Sequence, residues 1–206
     1  MNKLNNKMKI IPIFPTAISH TKFPRKLTRA EGKVFSYLEY RKNTGNSTSI
    51  NTNILSLEEL LDIRKFIISA LNEYMKNIYA PINDIEPYIT QSWVNLTREA
   101  EYHPSHSHQN SFLSGVFYLK ADDTDSIIFH RSNAPAIYLH PKEFNDFNSG
   151  SWRLPVEELS LIIFPSDLVH EVPEKLSRYD RVSLSFNSFA KGIFGANDTL
   201  TELELK

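Results

Sequence analysis

LIIFPSDLVHEVPEKLSRYDRVSLSFN, residues 161–187, holds three pieces of β pattern separated by turns. The first, Leu159–Phe164, is an apolar run that stops at Pro165-Ser166-Asp167, a cluster that breaks strands. The second, Leu168–Val172, carries His170. The third, Arg181–Phe189, alternates: Val182, Leu184 and Phe186 face one way, and Arg181, Ser183 and Ser185 the other. An arginine on the inward face of a strand is costly unless it meets an anion. The same alternation also fits an arginine on a solvent face paired with Asp or Glu.

The texture continues upstream. Pro87–Leu96, Ser111–Leu119, Ser126–His130 and Ala136–Leu139 are further short apolar or alternating runs bounded by turn residues. Many short strands at this spacing predict an antiparallel sandwich or barrel. Before residue 85 the pattern is different. Ile10–Ile18 reads as a strand leading into a turn at Phe23-Pro24, Thr28–Lys42 as a helix, and the Asn/Ser/Thr/Gly-rich 43–53 as a loop. Ser56 and Glu59 have the spacing of a capping box. The apolar stripe behind them (Leu57, Leu60, Leu61, Phe66, Ile67, Ala70, Leu71, Tyr74, Met75, Ile78) predicts an amphipathic helix ending before Pro81. The expected plan is one mainly β domain over 1–206: an N-terminal strand and buttressing helices at 1–85, a jelly-roll core at 86–190, and a tail at 191–206.

Composition narrows the chemistry. The 206 residues suffice for one good core, and the 41% hydrophobic share and 23% charged share are those of an ordinary folded domain. The absence of cysteine excludes disulfides, thiolate metal sites and cysteine nucleophiles, and fits a reducing cytoplasm. With 6 glycines there is no Gly-rich phosphate loop, and neither a G-x-S-x-G elbow nor an H-E-x-x-H helix is present. Residues 1–85 carry 13 Lys+Arg against 7 Asp+Glu, and residues 86–206 carry 10 against 17. No Lys/Arg run exceeds two residues, so the basic half is read as a solvated helical surface rather than a nucleic-acid face. Ile10–Ile18 is too short to span a bilayer and is broken by Pro12 and Pro15.

The histidines carry the sharpest signal. Residues 103–108 read His-Pro-Ser-His-Ser-His. In an extended segment His106 and His108 share a face and can offer two neutral imidazoles to one metal, with His170 as the third ligand. His103 lies three residues from His106, so regular alternation turns it away, and Pro104 breaks the ladder there. H-x-H by itself also occurs as surface decoration. His130 and His140, which flank Arg131–Leu139, are read as surface residues beside a loop over the pocket mouth.

Taken together, H-x-H, a long gap, His170 and then R-x-S resemble the Fe(II)/2-oxoglutarate oxygenase superfamily. HPSHSHQNSFLSGVFYL (103–119) and LIIFPSDLVHEVPEKLSRYDRVSLSFN (161–187) look like a subfamily of 2-oxoglutarate-Fe(II) oxygenases of phages and marine bacteria. IPIFPTAI (11–18) and SWVNL (92–96) resemble the same group. The resemblance implies a double-stranded β-helix, with His106 and His170 on iron and Arg181 with Ser183 on the distal carboxylate of 2-oxoglutarate. It also places Asn95 and Tyr118 on strands that line the co-substrate pocket. Most of the superfamily has Asp or Glu where His108 stands, so either His108 is the third ligand or water fills that position, with Asn110 or His103 taking part. Asp167 and Val169 replace an aromatic residue and a proline of that group.

The expected activity is therefore an Fe(II)- and 2-oxoglutarate-dependent dioxygenase that uses O2 and hydroxylates a small molecule, peptide or protein in the cytoplasm, with no membrane or nucleic-acid partner. For a phage-encoded chain that cytoplasm is the host's. The alternatives are a cupin-like metal-binding module without oxygenase activity, which needs no Arg181, and a structural jelly roll whose histidines are incidental.

Overall fold

The computed structural model describes residues 8–132, 137 and 139–206. Its strands, in chain order, are β1 (Ser19–Lys22), β2 (Tyr40–Lys42), β3 (Ser47–Ser49), β4 (Ile85–Thr97), β5 (His103–His106), β6 (Leu113–Lys120), β7 (Ser126–His130), β8 (Ser151–Pro155), β9 (Ser160–Pro165), β10 (His170–Val172), β11 (Arg181–Phe194) and β12 (Leu203–Leu205). Two α-helices, α1 (Arg29–Ser36) and α2 (Leu61–Tyr74), precede β4. The major sheet runs β1-β9-β6-β11-β4-β3-β2, with β12 paired to β11, and the minor sheet runs β5-β10-β7-β8. All these pairings are antiparallel. The result is the mainly β jelly roll that the strand spacing predicts, in the double-stranded β-helix form that the resemblance implies.

Period-2 alternation splits the major sheet into two faces. Val94, Phe117, Leu161, Ile163, Leu184 and Phe186 point outward, toward α2, and are fully buried there. The helix contributes Ile63, Ile67 and Leu71, spaced one turn apart and fully buried. Each such side chain contributes about 2 kcal/mol by leaving water. The opposite face looks into the jelly roll. Tyr118, Ile162 and Phe164 meet Ile127, Phe129, Val156 and Leu168 there in a second, smaller core. The polar members of the same rows, Asn95, Arg181, Ser183 and Ser185, line a cavity beside it.

Several elements depart from expectation. The chain at 10–18 forms no strand, and β1 begins only at Ser19. The polar segment at 43–53 is not simply a loop: β3 lies inside it, buried along its whole length, and the Ser49 hydroxyl accepts the Val94 N–H at 3.0 Å. Ser56 and Glu59 make no capping box. Ser56 belongs to a 3-10 turn, its hydroxyl bonds the Asn53 carbonyl at 2.6 Å, and α2 starts at Leu61 without a side-chain cap. The real capping box is Thr28 with Glu31, at the start of α1. Past α2 a single π-turn, Met75–Tyr79, ends at Ala80 with φ 44°, before Pro81. Within the expected tail, β11 runs on to Phe194 and β12 folds back onto it. The strand expected at 136–139 includes residues 136 and 138, which lie outside the described residues.

Candidate metal and co-substrate site

Cross-strand pairing brings the histidines together. His170 of β10 is the direct partner of His106 of β5, and directly opposed residues hold their Cβ atoms ~5 Å apart. Their rings lie 4.3 Å apart, centroid to centroid. His108 follows two residues after His106 and stays on the same side, 5.0 Å from the His106 ring and 5.2 Å from that of His170. Its backbone N–H donates to the Ser166 carbonyl at 2.8 Å, tying this segment to the turn before β10. One nitrogen from each of the three rings falls within 4.8 Å of the others, the only such histidine or carboxylate group among the described residues.

Two of the rings have their tautomer set by the backbone. His106 Nδ1 lies 2.8 Å from the Pro104 carbonyl and His170 Nδ1 lies 2.9 Å from the Leu168 carbonyl. A carbonyl only accepts, so Nδ1 carries the hydrogen in both rings and Nε2 keeps its lone pair. Both histidines use the carbonyl two residues back. Burial pulls His108 down to about 4, reinforced by His106. Burial also pulls His170 down to about 3, against the opposing pull of the Leu168 carbonyl. Both are therefore neutral near pH 7, the form that binds metal. The donor set fits a borderline divalent cation such as Fe(II).

His103 departs from the sequence expectation. It does not face away. Its ring lies 4.5 Å from that of His106 and lines the same cavity. The cause is a register shift: His106 pairs with His170 and His103 with Val172, so three steps on β5 oppose two on β10. The extra residue at Pro104-Ser105 is a β-bulge, which reverses the parity. His103 is nonetheless outside the three-nitrogen group, and its Nδ1 lies 3.3 Å from the Asn46 amide nitrogen. Asn110 is exposed, with φ 55°. His130 Nε2 lies 3.5 Å from Glu171 Oε2, apart from the cavity.

The cavity, about 520 Å³ of empty space when its open mouth is included, sits between the two sheets. Arg181 is 3% exposed and lines it together with Ser183, Asn95 and Tyr118, the four residues that the resemblance implies for the co-substrate pocket. Two polar atoms here lack any partner among the described residues: the Tyr118 hydroxyl and Asn95 Oδ1. Asn95 Nδ2 donates to Ser185 Oγ at 3.1 Å. Because a hydroxyl both donates and accepts, the Asn95 amide can present either end to the cavity. Burial pushes the Tyr118 phenol up, so it remains a donor. Buried polar atoms are nearly always satisfied, by protein, water or ligand, so two orphans on one wall stand out.

Sequence reasoning missed the surroundings of Arg181. Its Nη1 donates to Asp125 Oδ1 at 3.0 Å, and Asp125 Oδ2 accepts from Lys175 Nζ at 2.8 Å. Asp125 and Lys175 are each 1% exposed on their side chains. Neither Asp125 nor Lys175 belongs to any motif in the sequence. Only the pairing in space reveals them.

No curated protein matches the chain. The family model described as "Putative 2OG-Fe(II) oxygenase" matches residues 91–187. Among solved structures, the chain is similar to an oxidoreductase of the 2OG-Fe(II) oxygenase family from Burkholderia pseudomallei, with 12% identity and a TM-score of 0.55 over 82% of this chain and 83% of that one. It is also similar to a Pseudomonas putida prolyl-4-hydroxylase, with 12% identity and a TM-score of 0.53 over 84% and 92%. A third is HygX from Streptomyces hygroscopicus, solved with nickel and 2-oxoglutarate, with 9% identity and a TM-score of 0.53 over 84% and 82%. These likenesses bear on the fold, and the family match covers the stretch that holds all three histidines and Arg181. It is over residues 91–187 that the chain is similar to the 2OG-Fe(II) oxygenases.

Proposed function

We propose that His106, His108 and His170 hold Fe(II), and that Arg181, Ser183, Tyr118 and Asn95 hold 2-oxoglutarate beside it. The observation that carries this reading is the cavity itself. Three imidazoles converge at one end, and a buried guanidinium with two polar atoms unpartnered among the described residues faces the other part of its wall. The guanidinium fork matches a carboxylate, and the Ser183 and Tyr118 hydroxyls add donors beside it. Fe(II), 2-oxoglutarate and O2, when bound, supply the oxidising power, with hydroxylation of a substrate C–H bond as the proposed outcome and succinate as co-product.

The chain's own part is binding and orientation. The Pro104 and Leu168 carbonyls keep the His106 and His170 rings turned with Nε2 into the cavity. Val116, Ile127 and Val172 form the apolar part of the wall and exclude water. Uncharged ligands leave the full charge of the cation to be met by a doubly charged 2-oxoglutarate, which suits a set with His108 in place of a carboxylate. One oxygenase domain over 1–206 is proposed, because α2 covers the outer face of the same sheet whose inner face builds the cavity. No helix among the described residues is long and apolar enough to cross a membrane. The cytoplasm is the proposed compartment, and a small molecule, peptide or protein the proposed substrate.

The test is anaerobic titration with Fe(II), followed by 2-oxoglutarate, with metal analysis and visible absorption. One equivalent of iron and a charge-transfer band on adding 2-oxoglutarate are expected. Iron binding with no band and no 2-oxoglutarate affinity would leave only a metal-binding module.

A further inference from the structure

We propose that Lys175, acting through Asp125, is a positioning residue that keeps a net positive charge on the Arg181 end of the cavity. This rests on the reading of Arg181 as the anchor of the 2-oxoglutarate carboxylate.

The problem is one of charge. Arg181 has a single bonded acceptor among the described residues, the Asp125 carboxylate. A guanidinium paired with one buried carboxylate is oriented, but it is also neutralised, and a neutral pair attracts a second carboxylate poorly. Lys175 resolves this. Its ammonium is 1% exposed and divides its bonds between Asp125 Oδ2 at 2.8 Å and Asp122 Oδ2 at 2.6 Å. Asp125, Lys175 and Arg181 together then carry one positive charge, deep in the protein, facing the cavity.

Asp122 is 27% exposed, so water screens the outermost member. Its carboxyl is held well below the usual range, against the opposing effect of burial, by Lys175, Ser177 and Thr124. The Asp122 N–H also donates to Asp125 Oδ2 at 2.9 Å, so the turn grips the same carboxylate. The lysine backbone is fixed too: its N–H donates to the Glu101 carbonyl at 2.8 Å, and its carbonyl accepts the Ala100 N–H at 2.9 Å. The β4–β5 turn thus delivers the ammonium to the far side of Asp125. With Fe(II), three neutral imidazoles and a doubly charged 2-oxoglutarate in place, the two Asp, Lys175 and Arg181 bring the site to zero net charge.

The charge argument separates a role in binding from a role in folding. Lys175→Met leaves the occupied site one charge negative, and 2-oxoglutarate affinity should fall about tenfold or more. Lys175→Arg keeps the charge and should stay within a few-fold of the parent. Asp125→Asn/Lys175→Met removes one charge of each sign and should recover most of the lost affinity, although it deletes more of the network. The experiment is calorimetric titration of 2-oxoglutarate into Fe(II)-loaded protein without oxygen, with thermal unfolding of each variant in parallel. Arg181→Ala is titrated alongside. Unchanged affinity in Arg181→Ala would overturn the anchor reading itself. Strong loss there, with no loss in Lys175→Met, would overturn only the present inference. So would a folded double variant no better than Lys175→Met. If Lys175→Met does not fold, a folded double variant tenfold weaker than the parent is the overturning result.

Discussion

Replacing Tyr118 by phenylalanine removes one oxygen and should change two measurements in opposite directions. The side chain is 1% exposed, and its hydroxyl has no hydrogen-bond partner among the described residues. Burying a hydroxyl without a partner costs about 1–3 kcal/mol. The phenylalanine ring fills the same space against Ile127, Ile162 and Phe164. Ligand-free Tyr118→Phe should therefore be more stable than the parent by about 1 kcal/mol, a rise of roughly 2–4 °C in Tm for a chain of this size. The occupied protein should respond the other way. A hydrogen bond to a charged ligand contributes about 1.5–3 kcal/mol, so 2-oxoglutarate affinity should fall between roughly tenfold and a hundredfold. Urea or thermal unfolding of the metal-free protein gives the first number, and titration of 2-oxoglutarate gives the second. A variant that is less stable and binds 2-oxoglutarate unchanged would refute the reasoning, because the hydroxyl would then have a structural partner and no ligand.

Single alanine variants at His106 and His170 should lose stoichiometric Fe(II), read by metal analysis, whereas His103→Ala should keep it; full binding in His108→Ala would leave a two-histidine site. A methyl group at Gly115 would stand 2.3 Å from the Phe186 ring and 2.8 Å from the Ile162 carbonyl. Gly115→Ala should thus cost about 1–3 kcal/mol by overpacking, partly relieved by Phe186→Leu in denaturant melts. Glu31 is 2% exposed, held by Arg25 at 2.7 Å, and Arg25 depresses its carboxyl below the ordinary value of 4.5. A depressed folded-state value means stability that is present above 4.5 and lost as pH falls through the folded-state value. Glu31→Gln should therefore destabilise the protein by about 1–2 kcal/mol at pH 7 and flatten this part of the acid limb of the stability profile.

The inner face of β11 was legible because alternation is a property of three adjacent pairs of residues, and the register shifts beside Val182/Ser183 and Asn187/Ser188 put the extra residue in β6 and β4 rather than in β11. His106, His108 and His170 were legible for the same reason, once His170 fell in a strand. His103 was misread because the bulge at Pro104-Ser105 depends on the partner strand, and parity counted along one strand cannot register an extra residue across from it. The strands β1 to β3 escaped notice for a related cause. SHTK, YRK and STS have no apolar pattern, and they are strands because β9 offers an edge to β1, β4 offers one to β3, and β3 in turn offers one to β2. Ser56 and Glu59 had the right letters for a capping box, but Thr28 and Glu31 have it in fact, with Arg25 gripping the same glutamate. The Lys175–Asp125–Arg181 line has no signature in the order of residues, since Asp125 and Lys175 lie 50 positions apart.

The carbonyls that turn His106 and His170 belong to the main chain, two residues behind each ring. A carboxylate in that role can be lost by a single codon change, but a backbone carbonyl survives every side-chain substitution, including any at Leu168. The orientation of these two rings is thereby insulated from mutation of its own support. Variation around the site is free to alter what the cavity admits while the two imidazoles keep their aim.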